Sequence, residues 1–187
     1  MALSDPPASS HPSAYHPVAK SLHWITALVV VGMVGVGWWM VGLPLGLLKL
    51  QVYGWHKWIG LTVLALTVAR LLWRWRVPGP KLPDSVAPWE RRLAPFVHSL
   101  LLGLLLAMPL TGWTMSSAAG VELVWFGVLP LPDLVPRDQP LFEALRLAHD
   151  VLSKLLVLTV LLHWAAVIRH DVLRRDGIFR RMSPFSR

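Results

Sequence analysis

The chain has 187 residues, 55% of them hydrophobic and only 15% charged, with 18 Lys and Arg against 10 Asp and Glu for a formal net charge of +8. The length suits one domain, and the apolar fraction exceeds that of ordinary soluble domains. With no cysteine, disulfides, iron–sulfur clusters, thiolate-ligated haem and covalently attached haem are excluded, and the positive charge suits either nucleic acid or an anionic membrane surface.

In chain order, residues 1–14 are polar and proline-containing and read as a disordered tail. No cleavable signal peptide is expected, because the first apolar run is too long for one. Four segments have the roughly 20 apolar residues a bilayer crossing needs: Leu22–Gly42, Trp55–Trp75, Phe96–Ser116 and His149–Ile168. Pro109 in the third is tolerable if neighbours re-satisfy the freed carbonyl. Tryptophans such as Trp24, Trp38, Trp39, Trp55, Trp75 and Trp113 fall near span ends, like interfacial belts. Val77–Pro95 reads as a short proline-rich loop. The longer connection Ala118–Ala148 carries Pro130, Pro132, Pro136 and Pro140 and should pack over one end of the bundle.

The placement of charge decides for the membrane over nucleic acid. Lys20, Arg70, Arg74, Arg76, Lys81, Arg91 and Arg92 share one side with Arg169, Arg174, Arg175, Arg180, Arg181 and Arg187. Only Lys49, Lys57, Arg137, Arg146 and Lys154 fall on the other. The positive-inside rule then puts both termini in the cytoplasm. The expected architecture is an all-α, integral membrane four-helix bundle over residues 15–182, with 183–187 as a cytoplasmic tail.

Histidines carry the chemistry. His149 and His163 lie fourteen residues apart in the fourth span, close to four helical turns, so both rings share a face about 21 Å apart along the axis. Ionisable rings in an apolar span call for a function. Sorted by depth, His56 pairs with His149 at the external level and His23 with His163 at the cytoplasmic level. Each pair draws on two helices, as a bis-histidine haem in a bundle core requires. Zinc or copper suits histidine as well, but two ligands per level without companion carboxylates fits a bare ion poorly. Neutral imidazole is the axial ligand, and its second nitrogen should bond a carbonyl or water. Gly60, Gly103 and Gly112 are small enough to admit a porphyrin face, and equally suit helix packing.

His98 opens the third span and is a candidate for a propionate contact or an interfacial role. His170, seven residues past His163, is a reserve ligand or propionate contact, with an interfacial role the simpler reading. His11 and His16 are expected in solvent.

The residues Tyr15-His16-Pro17, Leu22-His23-Trp24, Trp55-His56-Lys57 and Ile59-Gly60-Leu61 form a recognisable set. So do Ala69 through Arg74, His98, Ala107 through Trp113, His149, His163 and Arg174-Arg175-Asp176-Gly177. From Tyr15 to Met182 the chain resembles the bacterial cytochrome b561 family. The resemblance puts the family's four haem ligands on His23, His56, His149 and His163. It implies two haem b groups in a bacterial inner-membrane protein that exchanges electrons with ubiquinone. The family includes superoxide oxidase activity, which takes an electron from external superoxide. Two bis-histidine irons keep no open position, so outer-sphere electron transfer is the natural activity.

Superoxide is an anion, and Lys57 and Lys154 flank the external ligands. They are candidates for anion guidance or propionate pairing, with interfacial snorkelling as the ordinary alternative. Arg70 mainly fixes topology, with a propionate contact as its second reading. Lipid, quinone and either a small donor such as superoxide or a redox protein are the expected partners. Two other functions fit the composition: a cytochrome subunit relaying electrons for a dehydrogenase or hydrogenase, and a haem-free structural or transport bundle.

Overall fold

The computed structural model describes residues 14–83 and 86–185. The expected tail, residues 1–14, lies outside them except for Ala14, and the terminal segment is described only to Phe185. Four long helices dominate: α1 (Pro17–Gly42), α2 (Leu47–Arg76), α3 (Pro88–Ala118) and α4 (Gln139–Ile168). All four are long and apolar enough to cross a membrane. A π-helical turn, Arg169–Arg174, extends α4, and a short α5 (Ile178–Met182) follows.

Each helix begins earlier than its apolar span, and polar side chains cap the starts of α1, α3 and α4. Pro17 opens α1 behind His16, whose Nδ1 accepts from Val18 N–H at 3.2 Å. Pro88 opens α3, and Glu90 accepts from Ala87 N–H at 3.2 Å. Asp138 caps α4 through Leu141 N–H at 2.8 Å. Proline fits the first helical turn, where no amide donor is needed. The loop expected over Val77–Pro95 therefore closes at Ala87, and α4 begins ten residues before His149.

The connection after α3 corrects the all-helical expectation. It contains a β-hairpin, β1 (Leu123–Trp125) with β2 (Leu129–Leu131), antiparallel with Trp125 opposite Leu129. Its turn holds Phe126 at φ 50 and Gly127 at φ 72, a conformation only the glycine adopts freely. As expected of this connection, the hairpin packs over a bundle end. Trp58 Nε1–H donates to Val124 O at 2.6 Å, and Trp125 Nε1–H donates back to Trp58 O at 3.1 Å. At the opposite, basic end, Trp24 Nε1–H donates to Met182 O at 2.8 Å and Arg181 to Lys81 O at 2.6 Å, tying α1, α5 and the loop before α3 together.

The helices pack in sequence, α1 on α2, α2 on α3 and α3 on α4. A buried core joins Val30, Val63, Leu104, Leu105 and Leu156, at least one residue from each helix. Four of its members, Val30, Val63, Leu105 and Leu156, sit seven residues from a histidine on their own helix, about two turns and about 10 Å of rise, so each series shares a face. On α1 the series runs His23, Val30, Gly37; on α2, His56, Val63, Arg70. On α3 it runs His98, Leu105, Gly112; on α4, His149, Leu156, His163. The bundle interior is thereby divided into three levels: a polar level at each end and an aliphatic layer between them.

Paired imidazoles at two levels of the bundle

At the hairpin end, His56 of α2 and His149 of α4 face each other with ring centroids 6.5 Å apart and planes at 71°. At the basic end, His23 of α1 and His163 of α4 stand 6.4 Å apart at 74°. α4 thus contributes to both pairs, while its extensive packing is on α3 rather than on α1 or α2. The rings reach across the interior where the backbones stay apart.

The spacing has a chemical meaning. An imidazole nitrogen binds a first-row metal at about 2 Å and the ring centroid lies about 1.1 Å behind it, so two rings on opposite sides of one metal have centroids about 6.3 Å apart. Both pairs meet that distance. His98 also lies near His163, with centroids 5.3 Å apart, about 1 Å too close for an opposed pair by the same measure. Among the described residues no cluster of three or more metal-binding side chains occurs. Two opposed imidazoles are an incomplete shell for a bare ion, but they complete the shell of a metal already held in a plane by a macrocycle.

The surroundings differ between levels. At the hairpin end, glycines flank both rings: a Cβ on Gly37 would lie 3.4 Å from His56 Cε1, and one on Gly112 would lie 3.4 Å from His149 Cε1. Gly112 was a sequence candidate for such an approach. Gly60 instead faces Met33, and Gly103 faces open space. Thr111 holds His149 Nδ1 at 3.1 Å, whereas Nδ1 of His23 and of His56 is buried with no protein partner. At the basic end, Arg70 lies within electrostatic reach of His23, His98 and His163. Among the described residues no carboxylate pairs with it, so a charged side chain on the inner face of α2 is left ready for an anion.

The remaining candidates fall outside the pairs. Lys154 is exposed and ion-paired with Asp150 at 2.7 Å, so its charge is largely met by its own helix. Lys57 is half-buried beside His56 and has no carboxylate partner among the described residues. His170 is engaged by Asp176, Nδ1 to Oδ2 at 2.5 Å. Asp176 lies beyond the spans; burial raises its pKa, but the bonds from His170 and Ile178 N–H outweigh that and hold it below the ordinary carboxylate value. His16 is exposed, as expected, and also caps α1 and packs on Trp73 with centroids 5.0 Å apart. Sequence reasoning also missed a buried carboxylate clamp. Glu90 at the start of α3 takes Arg174 at 2.6 Å and also Arg169, which in turn lies over the Trp89 ring.

Four membrane-crossing helices enclosing opposed imidazole pairs define a class, the helical membrane proteins built to hold planar metal cofactors between helices. The family follows from comparison with known proteins. The model of the prokaryotic cytochrome b561 family matches residues 14–185, and the chain belongs to that family. It is 28% identical over 179 residues to cytochrome b561 homolog 2 of Escherichia coli (strain K12), covering 91% of this chain and 92% of that protein. It is 25% identical over 170 residues to the probable superoxide oxidase CybB of Yersinia pestis, covering 89% and 93%. Membership implies a b-type haem and electron transfer in a prokaryotic membrane. The residues fit such a group: paired rings at the spacing of two metal–nitrogen bonds, buried ring nitrogens with no protein partner, and glycines where helix backbones come close to the rings.

Proposed function

We propose that the protein carries electrons across the bacterial inner membrane through two bis-histidine haem b groups. His56 and His149 would hold one, His23 and His163 the other. The observation that carries this reading is the pair of opposed ring couples at two levels, 6.5 and 6.4 Å between centroids, with an aliphatic layer between them. Two such haems supply one-electron carriers within the low-dielectric interior. The chain's own residues do the rest. The four imidazoles would hold the haem irons, two rings at each level, and would leave no open iron position for dioxygen. Val30, Val63, Leu105 and Leu156 keep water from the space between levels. Arg70 offers its charge to a propionate at the basic end, with His98 a further polar contact there.

The basic end is proposed to face the cytoplasm, from the concentration of Arg and Lys there. The hairpin end then faces outward, with Lys57 beside its ring pair as the side chain that would guide an anionic donor. Superoxide is the donor that best suits this arrangement, supported by the name of the Yersinia relative, and ubiquinone is the proposed acceptor. The test is a haem count with a reduced-minus-oxidised spectrum on the purified protein, then stopped-flow mixing with superoxide and ubiquinone. Two haems per chain with a b-type α band, reduced by superoxide near the diffusion limit, is the expected result. Absence of haem overturns the whole reading in favour of a structural or transport bundle. Haems that superoxide does not reduce overturn the donor and favour a relay for a partner dehydrogenase or hydrogenase.

A further inference from the structure

We propose that Thr111 is the positioning residue of the hairpin-end site: its hydroxyl fixes the His149 ring as the Nδ1–H tautomer and so presents Nε2 to the cofactor. This rests on the reading of His56 and His149 as a haem pair. The geometry is that of a relay. Thr111 Oγ1 donates to the Met108 carbonyl at 2.9 Å and lies 3.1 Å from His149 Nδ1. A hydroxyl has one proton, and a carbonyl can only accept. The Thr111 proton is therefore committed to Met108, and the contact with the ring requires Nδ1–H as donor. The next residue, Gly112, meets Cε1 of that ring. Consecutive residues of α3 thus set the orientation of one imidazole on α4.

No equivalent exists at two of the other rings, since Nδ1 of His23 and of His56 has no protein partner. The two levels are therefore chemically unlike. A hydrogen bond from Nδ1–H makes an axial imidazole more basic, which favours the oxidised metal. Thr111 should accordingly hold the hairpin-end haem at a lower midpoint potential than the same site would have without the hydroxyl.

The experiment compares wild-type holoprotein with Thr111→Val, which keeps the branched shape and removes the hydroxyl, and Thr111→Ser, which keeps the hydroxyl. Redox titration at the α band reads each haem, and transfer to an apoglobin scavenger reads retention. In Thr111→Val the midpoint of one haem rises, the same haem that His149→Ala removes, and its retention falls roughly tenfold, the lower end of the usual effect of losing an outer hydrogen bond to a metal ligand. Thr111→Ser restores both values. Unchanged midpoints and retention in Thr111→Val, an equal shift of both haems, or a Thr111→Ser protein indistinguishable from Thr111→Val would each overturn the proposal. Should Thr111→Val fail to accumulate, pulsed EPR of the ferric wild type decides. A distinct remote-nitrogen coupling for one hairpin-end ring supports the hydrogen bond, and equivalent couplings for His56 and His149 overturn it. Failure of the underlying haem reading is separable, because it shows as a wild-type protein without haem.

Discussion

Alanine at each of the four paired histidines, one at a time, tests whether depth or sequence order governs pairing. Within a level the ring centroids are 6.4 and 6.5 Å apart. Between levels, His149 and His163 are fourteen residues apart on one helix, about 21 Å of rise. No imidazole can cross from one level to the other, so a lost ligand has no substitute from the opposite pair. Each substitution should therefore halve the haem content, from two per chain to one. His56→Ala and His149→Ala should remove the same haem, and His23→Ala and His163→Ala the other. At the basic end His98 stands nearby, but its 5.3 Å separation from His163 is about 1 Å short of an opposed pair, so it should not rescue His23→Ala without movement of α3. The assay is haem per protein together with the low-temperature α band, in which two unlike haems would give separate maxima. Loss of one common haem from His23→Ala and His56→Ala would refute pairing by depth, and full occupancy in any of the four would remove that residue from the ligand set.

Three further outcomes follow from the contacts. Glu90→Gln leaves two guanidinium groups facing a neutral, buried amide; with both arginines partly exposed the cost should be about 3 kcal/mol, read as a lower unfolding midpoint in detergent, and Arg174→Ala should cost less because Arg169 stays. Asp176, with its folded pKa below the unfolded value, stabilises the segment after α4 above the ordinary carboxylate pKa and loses that contribution as pH falls through the lower folded value. The stability gap between wild type and Asp176→Asn should hold at neutral pH and close in acid; a gap that widens in acid contradicts the assignment. Trp58→Phe deletes the bond to Val124, worth about 1 kcal/mol, and amide exchange should quicken in the hairpin while the core of α2 stays protected.

The spans and the four paired histidines were legible because both obey long-range regularities. A bilayer demands runs of apolar residues, and charge outside them sorts by side. A histidine inside such a run stands out against its neighbours. The early helix starts were not legible from hydropathy, since Pro88, Glu90, Asp138 and Pro140 are polar or turn-forming yet begin helices that project past the bilayer. The hairpin was hidden because Val124-Trp125-Phe126-Gly127 reads as an apolar loop, and only the pairing with β2 and the anchoring on Trp58 reveal strands. Gly37, Thr111 and Glu90 escaped for another reason. Each acts on a residue of a different helix, and spacing within one segment carries no signal of what will lie across from it. The seven-residue series on α3, with His98, Leu105 and Gly112, offered a partial signal that Gly112 lies at the level of the hairpin-end pair.

That series also explains why one repeating pattern yields two unlike sites. All four helices place a residue at each level, yet the hairpin-end level receives two histidines and two glycines, while the basic end receives three histidines and Arg70. Glycines add no charge, so tuning of the hairpin-end site would fall to hydrogen bonding through Thr111. At the basic end an arginine without a carboxylate partner among the described residues and a third imidazole place polar and ionisable groups beside the ring pair. A haem held there, as proposed, would be surrounded by groups that stabilise added negative charge, which would favour its reduced form. An electron entering at the hairpin end, where Thr111 is proposed to favour the oxidised form, would then have a downhill route toward the basic end. On the two-haem reading proposed above, the asymmetry of side chains at the two levels, set by one residue per helix, would give electron flow a direction.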